Sequence, residues 1–200
     1  MRILIIGGYG TVGGTATKAL SERHEVIVAG RTRGDVQVDI ADIDSIRAMY
    51  DAVPNLDAVV CAAGAVKWDT FDNLQQDDFY VGFRSKLMGQ VNLVRVGQDR
   101  LNDGGSFTLT TGILGERPVP MTTSAAMVNG AIHSFVKAVT LEIRRNLRVN
   151  VVAPGLLEDS APKLGKFFPG QTPVAMDKVG AAYASAVEGT MTGELIRVYE

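Results

Sequence analysis

The chain has one cysteine, Cys61, and two histidines, His24 and His133, among its 200 residues. A single thiol forms no internal disulfide and no cysteine-rich metal centre. The histidines are far apart in sequence and lack a second ligand at helical spacing, so no metal site is expected. Cys61 ends an apolar segment without a neighbouring cation, which reads as a small buried hydrophobe rather than a reactive thiol. An excess of charge of one sign is also missing: 20 Lys and Arg face 22 Asp and Glu, for a net charge of −2, leaving no basic footprint for nucleic acid. Apolar runs are short and broken by glycine or charge, and Met1 leads directly into a strand. Neither a membrane span nor a signal peptide is expected, and the protein is expected to be cytoplasmic. Tyrosine is also missing from the whole stretch between Tyr80 and Tyr183.

With 46% hydrophobic residues, a chain of 200 is sufficient for one well-buried domain. Strand-like segments at 3–6, 25–29, 36–38, 57–61, 106–110, 148–153 and 194–198 alternate with apolar residues at helical spacing. The helical patterns are Val12/Ala16/Ala19/Leu20, Ile43/Ile46/Met49/Tyr50, Phe79/Phe83/Leu87/Val91/Val94 and a long stretch from about Ala125 to Arg145. A parallel crossover needs a helix-sized connection, and runs such as Ala58-Val-Val-Cys61 suit a sheet covered on both faces. The expectation is a single-domain α/β Rossmann-type fold, doubly wound, with about seven mainly parallel strands. Leu156 to Ala175, with three prolines and two glycines, reads as an irregular connection, either a lid over a ligand or a surface loop anchored by Phe167 and Phe168.

The strand Ile3–Ile6 runs into Gly7-Gly-Tyr-Gly-Thr-Val-Gly-Gly14 and then a helix. Such a junction suits a pyrophosphate, because missing Cβ atoms let backbone N–H groups approach while the helix dipole favours negative charge. Gly8-x-Gly10-x-x-Gly13 alone is a weak signal; its place between strand and helix strengthens it. Gly7, Tyr9, Gly10, Thr11, Val12 and Gly13 are therefore cofactor-binding candidates. At the end of the second strand, where a carboxylate would hold the adenosine ribose, the chain has Gly30 followed by Arg31, Thr32 and Arg33. A guanidinium takes a 2′-phosphate through paired charge-assisted bonds, which favours NADP(H) over NAD(H) through Arg31 and Thr32; an ordinary solvated turn is the alternative.

With these segments the chain resembles the short-chain dehydrogenase/reductase family over nearly its whole length. The matching residues are the glycine turn, Asp39-Ile40, Cys61-Ala62-Ala63-Gly64, Thr110-Thr111-Gly112, Arg148 to Gly155 and Thr192 to Val198. The resemblance implies that Asp39 and Ile40 border the adenine, Ala62, Ala63 and Gly64 the adenosine ribose, and Pro154, Gly155 and Leu156 the nicotinamide. It places Thr110 beside the cofactor as well. It also implies a homodimer or tetramer paired through helices at about 72–99 and 125–145. The spacing Gly7-x-x-Gly10-x-x-Gly13 is similar to the atypical or extended branches.

The family's chemistry uses a Tyr-x-x-x-Lys pair, a serine after the fifth strand and an asparagine on the preceding helix. Counting along the helix places Ala125 at the tyrosine position and Asn129 at the lysine position, and no nearby tyrosine restores the motif. Thr110 or Thr111 falls near the serine and Lys86 near the asparagine, so Thr111, Lys86 and Asn129 are the catalytic candidates. Thr111 would orient a substrate oxygen, Lys86 would donate a proton or anchor an anion unless it is merely solvated, and Asn129 would hold the nicotinamide ribose. A positioned general acid contributes about 10²–10⁴-fold, roughly 3–5 kcal/mol, whereas juxtaposition of reactants supplies roughly 7–11 kcal/mol. Loss of the tyrosine thus weighs against the usual mechanism more than against reduction itself. Two functions fit: an NADP(H)-dependent oxidoreductase acting on a small carbonyl or alcohol through an unorthodox proton relay, or a non-catalytic NADP(H)-binding redox sensor or regulatory module. The substrate is not named by the sequence, and no nucleic-acid or membrane partner is expected.

Overall fold

The computed structural model describes residues 1–199. Seven parallel strands form one sheet in the order β3-β2-β1-β4-β5-β6-β7. They are β1 (Arg2–Ile6), β2 (Glu25–Gly30), β3 (Val36–Gln37), β4 (Leu56–Cys61), β5 (Leu101–Thr110), β6 (Arg148–Pro154) and β7 (Leu195–Val198). Strand order reverses between β1 and β4, so the crevice over their carboxyl ends is where doubly wound sheets bind ligands. The strands are apolar on both sides because both faces are covered. Leu4, Ile6, Val59, Cys61, Phe107 and Val151 pack in one core, and Ile3, Ile5, Ala58, Val60 and Val152 in the other. Alternation with period two sends neighbours to opposite faces, and each large buried side chain stabilises the fold by about 1.5–3 kcal/mol.

Helices α1 (Thr11–Ser21) and α7 (Met176–Glu188) pack against each other over one face. On the other lie α2 (Ile43–Ala52), α4 (Met88–Gly97) and α5 (Thr123–Val139). A short α3 (Gln76–Gly82) precedes α4, joined to it by a π-helical turn at Phe83–Leu87. Helix α7 escapes the periodicity reading because Gly180, Ala181, Ala182, Ala184 and Ala186 blunt the contrast between its faces. The same small residues let it approach α1, where a Cβ on Gly180 would lie 3.1 Å from Ala19 Cβ.

Three expectations need correction. β5 starts five residues before the anticipated 106, across a register shift opposite Leu56 and Ala58. α5 ends at Val139 rather than near Arg145: beyond it the N–H groups of Leu141 and Glu142 reach back only three residues, to Ala138 and Val139, and the chain then reverses at Arg145 and Asn146, which take left-handed backbone angles (φ +62° and +55°). The Arg145 guanidinium there binds the carbonyls of Gln98 and Leu101 and the carboxylate of Asp103, fastening the turn to the start of β5. Finally, 156–175 is not wholly irregular. It contains α6 (Ala161–Leu164) and a 3₁₀ turn, is closed by a parallel bridge between Leu157 and Val174, and buries Phe168. Among the described residues no helix is long and apolar enough to cross a membrane.

Candidate active site

Three cavities follow one another along the carboxyl ends of the strands. The first, of about 220 Å³, lies beside the glycine turn, and its lining includes Gly7, Tyr9, Gly10, Arg31, Thr32 and Arg33. The second, of about 240 Å³, includes Arg31, Asp39, Ile40, Ala63 and Gly64. The third, of about 210 Å³, includes Val12, Lys86, Thr111, Ala125, Asn129 and Leu156. Together they form a trough of the shape a dinucleotide and a small substrate would fill, crossing the point where strand order reverses.

The glycine turn is sterically determined. Gly7 has φ +81°, and a Cβ on Gly13 would fall 2.1 Å from the Gly7 carbonyl oxygen. Only hydrogens fit there, so the start of α1 lies directly against the turn. The N-cap, Gly10, offers no side-chain acceptor to the first amides of α1, leaving their N–H groups for an anion. Thr11 sits exposed at that helix start. Ala62 lies beneath the turn, its carbonyl oxygen 2.9 Å from where a Gly7 Cβ would be, and lines none of the three cavities.

At the end of β2, a Cβ on Gly30 would meet the Arg33 carbonyl oxygen at 2.5 Å. The turn folding back over Gly30 thus excludes the carboxylate side chain that would bind a ribose here. Arg31 lines both adjoining cavities. Arg33, not singled out from the sequence, stacks 4.7 Å over the Tyr9 ring and donates to the Tyr9 carbonyl at 3.3 Å. Its signal was the Arg-Thr-Arg spacing, which sets two guanidinium groups on one turn.

All three catalytic candidates reach the third cavity, together with Ala125. Lys86 rides on the π-helical turn, in which the Met88 N–H reaches back to the Phe83 carbonyl. Such turns are frequent at functional sites. The Lys86 stem lies against Gly64, where a Cβ would approach Lys86 Cγ to 2.6 Å. The side chain is half-buried, and desolvation lowers its pKa to about 8, opposed by the neighbouring Cys61 thiol. Contrary to the sequence reading, Cys61 does have a cation near it, Lys86; burial nevertheless pushes the thiol up to about 11, against the smaller lowering effects of the Ala63 backbone and Lys86, so it remains a structural hydrophobe. Asn129 is 3% exposed, and its Oδ1 is buried without a hydrogen-bond partner. A buried amide oxygen left unpaired costs about 1–3 kcal/mol, so a hydroxyl brought in by a ligand has an acceptor waiting.

Thr110 is the exception. It and Thr111 are adjacent at the end of β5 and project to opposite sides, and Thr110 Oγ1 lies 2.6 Å from Tyr183 Oη within the packing of α7. Its backbone N–H and C=O are both held by the buried Gln90 amide. Thr110 is therefore a packing residue and lines none of the three cavities. Thr110→Val is expected to strand the Tyr183 hydroxyl and destabilise the fold by about 1–3 kcal/mol, a fall in Tm of about 2–10 °C, with nucleotide affinity unchanged. Thermal melting with and without NADPH checks this; lost affinity at unchanged Tm would return Thr110 to the site.

Thr111 has a partner that sequence reading missed. Its Oγ1 lies 2.8 Å from His133 Nε2, one turn beyond Asn129 on α5. His133 had been set aside as one of two isolated histidines. The spacing Ala125, Asn129, His133 places all three on one helical stripe, which is the signal that was available.

A parallel sheet with a switch-point crevice, a glycine turn and a trough along its edge defines a dinucleotide-binding protein of the Rossmann class. A family model described as enoyl-(acyl carrier protein) reductase matches residues 11–182, and the chain belongs to the short-chain dehydrogenase/reductase family of oxidoreductases. It is similar to a solved protein from Listeria innocua, with 47% identity and a TM-score of 0.97 over the whole of both chains. A small-chain dehydrogenase solved in complex with NADPH has 26% identity and a TM-score of 0.87, covering 100% of this chain and 96% of that one. Among curated relatives, elsinochrome reductase 1 of Elsinoe fawcettii is 29% identical over 126 residues, 60% of this chain and 47% of the relative. A hydroxynaphthalene reductase of Aspergillus fumigatus is 26% identical over 147 residues, 70% of this chain and 54% of the relative. The chain spans about half the length of these two relatives.

Proposed function

We propose that the protein is an NADPH-dependent reductase of apolar, aromatic carbonyl compounds that works without the family's tyrosine. The observation that carries this reading is the convergence of Lys86, Thr111 and Asn129 on one cavity whose remaining wall is largely apolar, with Trp68, Ile113, Leu114, Leu164 and Phe168. The name of the hydroxynaphthalene reductase above supports an aromatic ring in the substrate.

Arg31 holds the 2′-phosphate, with Arg33 beside it, and the amides at the start of α1 hold the pyrophosphate. Asp39 and Ile40 border the adenine, Ala63 and Gly64 the adenosine ribose, and Pro154, Gly155 and Leu156 the nicotinamide. Asn129 Oδ1 accepts from the nicotinamide ribose. Bound NADPH supplies the hydride. Thr111 Oγ1 donates to the carbonyl oxygen, and the Lys86 ammonium stabilises the negative charge that develops there, in a site from which the apolar wall excludes water. Nicotinamide preference follows from Gly30 and Arg31: Arg31→Ala is expected to weaken NADPH at least tenfold and leave NADH within twofold, as read by equilibrium titration.

Ala125 favours a second reading, a binding protein that senses the NADPH/NADP⁺ ratio without turnover. Following NADPH absorbance with α-tetralone and a panel of bicyclic aromatic ketones separates the two. Ketone-dependent oxidation supports the reductase; tight NADPH binding with no consumption supports the sensor. Either reading includes a homodimer formed through α4, α5 and the turn after α5, where Val91, Phe135, Val139 and Ile143 line a groove, and sedimentation velocity tests it.

A further inference from the structure

A reductase needs a proton as well as a hydride, and with alanine at position 125 a hydroxyl of the cavity wall, Thr111, can give up its own proton only if it is resupplied. Thr111 is buried, and its Oγ1 meets His133 Nε2 at 2.8 Å. The imidazole is held along its Cε1–Nδ1 edge: a Cβ on Gly115 would lie 2.5 Å from His133 Cε1 and 3.1 Å from Nδ1, so the ring rests on the backbone of the 3₁₀ turn at Ile113–Gly115. Nε2 therefore faces the cavity hydroxyl, Cε1 and Nδ1 lie on the Gly115 side, and the residue as a whole is half-buried, so the ring is not sealed from solvent.

We propose that His133 is the positioning residue that resupplies Thr111, forming a two-member proton path from solvent to substrate in place of the missing tyrosine. This rests on the reductase reading above. In the ground state His133 is neutral with its proton on Nε2, which donates to Thr111 Oγ1. That orientation turns the Thr111 O–H toward the carbonyl oxygen. A bound reduced nicotinamide would supply hydride to the carbonyl carbon, with the C=O π pair moving onto oxygen. The new C–H and O–H bonds would form together: Thr111 passes its proton to that oxygen, Nε2 passes its proton to Thr111, and Nδ1 takes a proton from solvent water, whose hydroxide is neutralised by the bulk buffer, so that one hydride and one solvent proton are consumed per carbonyl. The ring ends as the other neutral tautomer, the one that can accept a proton from Thr111 when an alcohol is oxidised.

The surroundings agree with a neutral ring. Desolvation lowers the His133 pKa below its usual 6.5, and Arg197 from β7, Lys137 from the next turn of α5 and Lys86 from the π-helical turn lower it further. Only Glu116 raises it, and that carboxylate is engaged by Arg197 and by the hydroxyl of Tyr199, which hold its own pKa down to about 2.

The test uses protein labelled with ¹⁵N-histidine, whose two imidazoles are told apart by His24→Gln. Long-range ¹H–¹⁵N correlation at pH 7.5 is expected to show His133 neutral with Nε2 protonated, and Thr111→Val is expected to shift that nitrogen. In parallel, NADPH-dependent reduction of α-tetralone by His133→Phe and His133→Gln is expected to fall at least tenfold in kcat with KM and NADPH Kd within twofold. Oxidation of α-tetralol by the unsubstituted protein should fall on the acid side with the His133 pKa read by NMR. A charged ring or an Nδ1–H tautomer at pH 7.5 overturns the path, as does unchanged turnover in both variants. Unsubstituted protein that binds NADPH and reduces no ketone overturns the reductase reading and the path with it, whereas turnover that survives loss of His133 overturns the path alone.

Discussion

Lys86→Met is expected to lower kcat for ketone reduction about 10²-fold while leaving NADPH affinity within twofold and raising Tm by about 2–6 °C. The fall is the usual consequence of removing one charged donor from a developing oxyanion. The rise follows from the sign of the pKa shift. An unfolded lysine titrates near 10.4, whereas burial in the cavity wall brings Lys86 to about 8. The folded protein therefore disfavours the ammonium, and the resulting destabilisation is fully present below pH 8 and relieved as pH climbs from 8 to 10.4. Allowing for the accessible part of the side chain, removal of the charge returns roughly 1–2 kcal/mol at neutral pH. Activity and stability thus move in opposite directions, which a solvated surface lysine would not produce. Unchanged kcat and unchanged Tm together would assign Lys86 to the surface. In the unsubstituted protein, kcat should decline as pH rises through 8, and the decline should vanish in Lys86→Met.

The second large effect belongs to the glycine turn. Gly13→Ala is expected to weaken NADPH binding at least a hundredfold and lower Tm by about 3–10 °C, because its Cβ would lie 2.1 Å from the Gly7 carbonyl oxygen and 2.7 Å from its carbon. Neither is the tip of a flexible side chain, so α1 or the turn itself has to move. Overpacking of this kind costs about 1–3 kcal/mol, and displaced amides no longer meet the pyrophosphate. The control is one residue away. A Cβ on Gly14 would sit 3.5 Å from the Gly8 carbonyl, an ordinary contact, so Gly14→Ala should bind NADPH normally and melt at or above the original temperature. Equal effects at both positions would mean that glycine flexibility, rather than close packing, is what the turn requires.

The sheet was legible because its strands are nearly all apolar and spaced by helix-sized segments, a pattern few other folds produce. Helix α7 was not, since burial against α1 favours alanine and glycine over the large residues that make periodicity visible. Conversely, α5 looked longer than it is: apolar residues continue past Val139, where the backbone tightens into turns before the Arg145 guanidinium fastens the reversal to the start of β5. At the site, glycine and arginine positions could be read because their chemistry follows from local sequence order. The separate fates of Thr110 and Thr111 could not, because strand alternation decides which faces the cavity and the phase depends on the register with β4 and β6. His133 was missed for a related reason. A search for metal ligands asks for second histidines or cysteines nearby in sequence, whereas its partner is a threonine hydroxyl 22 residues away that only the fold brings within 2.8 Å.

The most direct test of the account is an equilibrium titration of the protein with NADPH and NADH, following fluorescence of Trp68, the sole tryptophan, which lines the third cavity. Micromolar NADPH binding, with NADH at least tenfold weaker, is the result predicted from the Gly7–Gly13 turn, Gly30 and Arg31. Failure of both nucleotides to bind would contradict the dinucleotide assignment of the trough, and equal affinity for the two would contradict the role given to Arg31.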